Sequence, residues 1–191
     1  MINKNSFGIL GQFYFNIKKS LKSIYQNSKF YEKKISKTFN NNFDYKPSPH
    51  LLSSIIKYQN KKYKIEDFTI EPIWKNDLKL KDYEKLNNFF WFFSLDLKSS
   101  KKTTQTVIKN WITNNSKYQK DSWEFDLTAK RIISWLSNHQ LTYEDSDPEY
   151  RLIFNHMVQK QTNHLLYEIK NSKEVENKMI GCAAIILTGL V

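Results

Sequence analysis

The side chains able to do chemistry are few and scattered along the chain. His50, His139, His156 and His164 are its only histidines. His156 and His164 share roughly one helix face, but Gln161 rather than a carboxylate lies near them, which is not a metal-ligand pattern. Glu144, Asp145, Asp147 and Glu149 cluster, yet they lack the regular oxygen spacing and the glycine turn of a calcium loop. They read as a loop running into a helix N-terminus, where the dipole favours acidic groups. The single cysteine, Cys182, excludes a disulfide framework and reads as a buried small hydrophobe among Ala and Ile. No glycine-rich phosphate loop, HExxH or GxSxG motif is present, so no metal or cofactor is implied. Trp91, Trp111, Trp123 and Trp135 each fall on or beside a different helix. They serve either as core or as flat platforms for sugar faces.

The elements that must position these groups are mostly helical. The chain has 191 residues, 40% of them apolar and 15% aromatic, enough to build a core. Only 4 Gly and 4 Pro argue against turn-rich sandwiches and barrels. No apolar run approaches the ~20 residues needed to cross a bilayer. The net charge is +11, but it comes from 28 Lys and two Arg (Arg131 and Arg151) beside 19 Asn. Arginine supplies the bidentate contacts of nucleic-acid surfaces, so this alphabet argues against a nucleic-acid partner. It leaves attraction to an anionic partner open.

Residues 1–45 hold an amphipathic segment and a polar linker. Ile9, Phe13, Ile17, Leu21, Ile24 and Tyr25 recur at helical spacing, with Lys18, Lys19 and Lys22 turned elsewhere. The segment is either a helix packed on its own domain or one lying on a membrane surface. It does not read as a signal peptide, having no small-residue cleavage site. Residues 46–73 form a lead-in with a proline-punctuated loop around His50. Tyr63, Ile65, Phe68 and Ile70 there predict a small extended hairpin near residues 60–71.

From residue 74 to 191 the pattern is helical. Expected helices run over 77–97, 103–115 and 124–139, then from the Asp147-Pro148-Glu149 start signal onward, and last from Glu174. Short connections predict antiparallel helical hairpins, an all-α fold. The chain stops on the apolar Thr188-Gly189-Leu190-Val191, which leads us to expect the N-terminal part of something longer.

Several short signatures occur in a fixed order. Trp74 opens a segment ending LNNFFWFFSL, followed by a helix with Trp111 and by WEFDLTAKRIISWL over 123–136. A long helix with Gln161 and Leu165 comes next, and ENKMIGCAAIILTGL over 176–190 closes the series. This order resembles the N-terminal helical domain of the heparinase II/III family of polysaccharide lyases. The tryptophan-to-arginine spacing W-x-x-x-x-x-x-x-R from Trp123 to Arg131 is part of the likeness. It covers residues 74–191, while residues 1–73 match only loosely.

The resemblance implies an incomplete (α/α) toroid followed by a β-sandwich domain, and cleavage of uronate-containing polysaccharides by β-elimination. It implies a location in the periplasm or cell envelope. Asn177 stands where the family's carboxylate-binding Asn stands; Lys178 replaces the His that follows it and is carried over as substrate-binding, since a lysine can neutralise a carboxylate but does not titrate near neutrality. Arg131 matches the family's arginine and either faces the substrate groove or holds a structural ion pair. Asn87 stands where the family often has His, and Trp123 is carried over as substrate-binding. The catalytic Tyr and a later His would follow residue 191. The competing expectation is a non-catalytic basic helical module binding an anionic glycan or a membrane surface. The oligomeric state stays open.

Overall fold

The computed structural model describes residues 4–37, 80–94 and 101–191. The extended hairpin at 60–71, the whole 46–73 lead-in with His50, and Trp74 lie outside the described residues, as do the side chains of Ile9 and Phe13. The fold is all-α, with no strand among the described residues. In order come α1 (Lys4–Gln26), α2 (Lys29–Ile35), α3 (Leu80–Asn87), a 3₁₀ turn (Phe90–Ser94), α4 (Lys101–Asn115), α5 (Phe125–Ser137), the single-turn α6 (His139–Thr142), α7 (Pro148–Glu168) and α8 (Val175–Gly189).

Local chemistry accounts for the helix ends. The Asp147 carboxylate accepts the Tyr150 N–H at 2.8 Å, and Pro148 occupies a first-turn site where no N–H is needed. Ser28 caps α2 by accepting the Tyr31 N–H at 3.3 Å. The acidic cluster is spent on structure: Asp147 caps, and Lys101 Nζ lies 2.7 Å from Asp145 and 3.2 Å from Glu144. Such exposed pairs contribute little stability.

The helix expected over 77–97 is broken. Phe89 adopts φ of 58°, a left-handed conformation that costs a non-glycine residue roughly 1–2 kcal/mol. The break ends α3 at this point, and the short 3₁₀ turn that follows starts at Phe90. Phe89 and Phe92 are both buried in the core, and that burial offsets the backbone cost. Phe89 meets Trp135 edge-on at 5.3 Å, and Trp111 meets Trp135 edge-on at 5.6 Å. Trp111, Trp123 and Trp135 are therefore core residues, whereas Cys182 is exposed, contrary to expectation, because α8 turns that face outward.

α5 makes its most extensive contact with α8. The approach is close enough that a Cβ at Gly181 would lie 2.3 Å from Phe125 Cζ. Gly181 is thus a packing requirement of the α5–α8 contact. α8 runs back along α7, with Thr162 and Thr188 hydroxyls 3.2 Å apart. Tyr31 and Ile35 of α2 are buried in the same core, so the N-terminal segment shares it. α1 is held differently: its last turns present Lys22 and Gln26 to Glu168 of α7.

The α5–α8 contact yields a prediction. Gly181→Val should lower stability by about 1–3 kcal/mol through overpacking. Urea unfolding followed by circular dichroism measures this, and an unchanged midpoint would mean that the Phe125 ring moves aside freely.

Candidate functional site

A cleft of about 280 Å³ opens where the end of α1, the α4–α5 connection, the end of α7 and the start of α8 converge. Trp123 and Asn177 both line it, so two of the residues singled out from the sequence come together there. Lys19, Lys22 and Lys120 stand on one side of the charge balance, and Glu124, Asp126 and Glu168 on the other.

Two hydrogen-bond chains build the wall. In the first, the Tyr118 hydroxyl donates to Gln26 Oε1 at 2.9 Å, and Gln26 Nε2 donates to Glu168 Oε1 at 2.8 Å. Lys22 Nζ donates to the other oxygen of the same carboxylate. Glu168 ends α7, where the negative end of the helix dipole disfavours a carboxylate. Lys22 and Gln26 supply the compensation. In the second chain, His164 Nε2 lies 2.7 Å from the Trp123 carbonyl. A carbonyl only accepts, so Nε2 carries the proton and Nδ1 accepts from the Tyr31 hydroxyl at 2.6 Å. Burial pulls the His164 pKa down to about 3, which keeps the ring neutral. Burial, helped by the Glu168 charge, pushes the Tyr118 phenol up to about 12.

Arg131 and Asn87 are brought together elsewhere, in the core. Arg131 is 0% exposed and does not face a groove. Its Nε donates to Gln161 Oε1 at 2.9 Å, one Nη to the Asn87 carbonyl at 2.8 Å, and the other to the Ser122 carbonyl at 2.9 Å. The guanidinium carbon stacks 3.9 Å above the Trp111 ring. The expectation of a substrate-facing Arg131 is corrected by this enclosure, and so is that of an ion pair, because its partners are neutral oxygens. Burial lowers its pKa to about 9, which still leaves it cationic at neutral pH. Asn87 is equally committed: Oδ1 accepts from Trp111 Nε1 at 2.8 Å, and Nδ2 donates to the Tyr83 carbonyl at 2.9 Å. Trp123 offers the cleft little of its ring, which is buried with Nε1 donating to the Asn115 carbonyl at 3.0 Å.

Asn177 is half-buried, its Nδ2 donating to Glu174 Oε2 at 2.9 Å, and Lys178 beside it is exposed. Sequence reasoning missed Tyr118, Gln26 and Glu168, and weighed His164 only as a metal ligand. All four depend on partners more than 90 residues away, for which no local pattern exists. Glu168 did carry a signal, as an acidic residue closing a long helix. No group of three or more His, Cys, Asp or Glu among the described residues is arranged to hold a metal, and none of their helices is long and apolar enough to cross a membrane.

Two predictions follow from these networks. Arg131→Met keeps the bulk but leaves the Asn87 and Ser122 carbonyls without donors, so stability should fall by about 3 kcal/mol or more. A loss under about 1 kcal/mol in urea unfolding would show that water or relaxation replaces those bonds. His164 has a folded pKa below its unfolded one, so the unfolded chain takes up a proton that the native protein refuses. Its contribution is intact above pH ~6.5 and declines on acidification toward about 3, by about 1.4 kcal/mol per pH unit. Between pH 6.5 and 5, above the titration of most carboxylates, His164→Gln should flatten this slope; parallel slopes would contradict the assignment. Compared with protein-family models, curated proteins and solved structures, the chain matches none.

Proposed function

We propose that this chain is the helical N-terminal part of a heparinase II/III-like lyase acting on uronate-containing polysaccharides by β-elimination. In this reading the helices belong to an incomplete (α/α) toroid, and the cleft holds the acidic sugar. The observation that carries it is the position of Asn177. The residue matched to the family's carboxylate-binding Asn lines the same cleft as Trp123, with Lys19 and Lys120 beside it.

The chemistry explains why such a grouping is needed. Removing the proton next to a uronate carboxylate builds negative charge on that carboxylate, and the reaction proceeds only if preorganised donors and cations stabilise it. The Asn177 amide supplies a donor, shared at present with Glu174, and Lys120 supplies charge. A base is a separate requirement. Tyr118, with its pKa near 12, holds its proton at neutral pH and acts in this cleft as a hydrogen-bond donor. His164 is neutral but has both ring nitrogens engaged. This chain's contribution is therefore to bind and orient the sugar. The same observation favours a second reading, a non-catalytic module that binds anionic glycans.

Calorimetry with an oligouronate and with a neutral oligosaccharide of equal length tests the site. The oligouronate should bind preferentially, and Asn177→Asp should weaken it by about tenfold through like-charge repulsion while sparing the fold. Equal affinity for the two sugars, or indifference to Asn177→Asp, would sink the reading. Growth of ultraviolet absorbance from unsaturated uronate separates the lyase from the non-catalytic module.

A further inference from the structure

Helix α1 is docked the wrong way round for a soluble amphipathic helix. Positions on a helix advance by about 100° per residue. Tyr14, Ile17, Leu21 and Ile24 therefore share one stripe, while Lys22, Ser23 and Gln26 lie on nearly the opposite side. The polar side faces the protein: Lys22 and Gln26 bond to Glu168, and Ser23 lines the cleft. The apolar side faces out, with Tyr14 70%, Leu21 62% and Ile24 68% exposed. Phe30, at the start of α2, is likewise 81% exposed. Ordinary packing would bury such a stripe and solvate the lysines.

The charge around the stripe selects its occupant. Residues 1–31 contain Lys4, Lys18, Lys19, Lys22 and Lys29 and no Asp or Glu. Glu32, the first acidic residue, is turned inward to the buried Lys160. Lys18, Lys29 and Lys33 are exposed around the apolar surface. A second copy would bring two acid-free, lysine-bearing faces together, which is electrostatically unfavourable. A nucleic acid would satisfy the lysines but offer the apolar stripe nothing. A surface that is negatively charged at its boundary and apolar just beneath satisfies both.

We propose that the outward face of α1, together with Phe30, seats on an anionic lipid surface. The helix lies in the headgroup plane with its apolar side chains inserted and with Lys18, Lys29 and Lys33 reaching to the headgroups, while Lys19 and Lys22 stay on the docked side. The cleft opens on the opposite, docked side of α1, so lipid contact leaves it accessible. The proposal does not depend on the lyase reading, since Tyr14, Leu21, Ile24 and Phe30 and the lysines Lys18, Lys29 and Lys33 lie outside the cleft lining.

The test is co-sedimentation of the full chain with phosphatidylcholine vesicles containing one-third phosphatidylglycerol, against phosphatidylcholine alone. Binding to the anionic vesicles at low salt, released at high salt, is expected because screening weakens the lysine attraction. Leu21→Glu with Ile24→Glu should lower that binding by about tenfold or more with thermal melting unchanged, both side chains being exposed in the folded protein. Three results would overturn the proposal. One is no preference for the anionic vesicles. Another is undiminished binding by the double variant, which would reduce the effect to lysine attraction alone. The third is a dimer at sedimentation equilibrium that the same variant splits, since a second copy would then cover the stripe.

Discussion

A guanidinium with no access to water must find an oxygen for its donors or lose several kilocalories to desolvation. Arg131 meets that demand by reaching three places far apart in sequence: the carbonyl ending α3, the carbonyl of Ser122 in the α4–α5 connection, and Gln161 on α7. The Asn87 carbonyl needs a donor because it ends a helix, and the left-handed turn at Phe89 keeps the chain from continuing to supply one. Ser134, one turn along α5, completes the arrangement by donating to the Phe89 carbonyl at 2.5 Å. Trp111 closes the enclosure from below and ties back to Asn87. Each partner is thus satisfied only if the others are in place, which gives the assembly its cooperativity.

The cleft inherits its geometry from this centre. Ser122 is adjacent to Trp123, so fixing the Ser122 carbonyl on Arg131 also fixes the Trp123 carbonyl on which His164 rests. His164 in turn orients Tyr31, and Tyr31 anchors α2 among Tyr25, Tyr118 and Tyr167. The residues that carry the family resemblance around LNNFFWF, the arginine after Trp123 and Gln161 meet in the core rather than at the cleft. Their residue types are those needed to bury one cation, an architectural requirement distinct from any chemistry.

What could be read from the sequence is what local interactions decide. The Asp147-Pro148-Glu149 start, the spans of α4 and α5 and the beginning of α8 follow from capping and periodicity within a few residues. The all-α class follows from the scarcity of Gly and Pro with short connections. The break at Phe89 was hidden because its cause lies 45 residues away on Ser134 and Trp135. Helical periodicity also predicted an apolar face for α1 without revealing which way it points. That direction is set by Glu168, which needs a cation at the unfavourable end of α7 and captures the polar side of the helix. Cys182 was misplaced for the same kind of reason: Gly181 serves the close approach to Phe125, and only part of the small-residue run of α8 faces α5.

The same commitments limit how the cleft can bind. Glu168, Gln26, His164 and the Trp123 backbone are engaged with one another, and a ligand that displaced them would have to break bonds that hold α1 and α2. On the proposed reading, a ligand would therefore be recognised by Asn177, Lys19 and Lys120, which are less committed. A few rim contacts near water, screened by salt, give modest affinity. A single sugar would bind weakly here. A long polyanion gains from neighbouring charges, because once one unit is held the next arrives at high effective concentration. On the proposed reading, the cleft would set the register of such a chain and neighbouring lysines would add to the attraction.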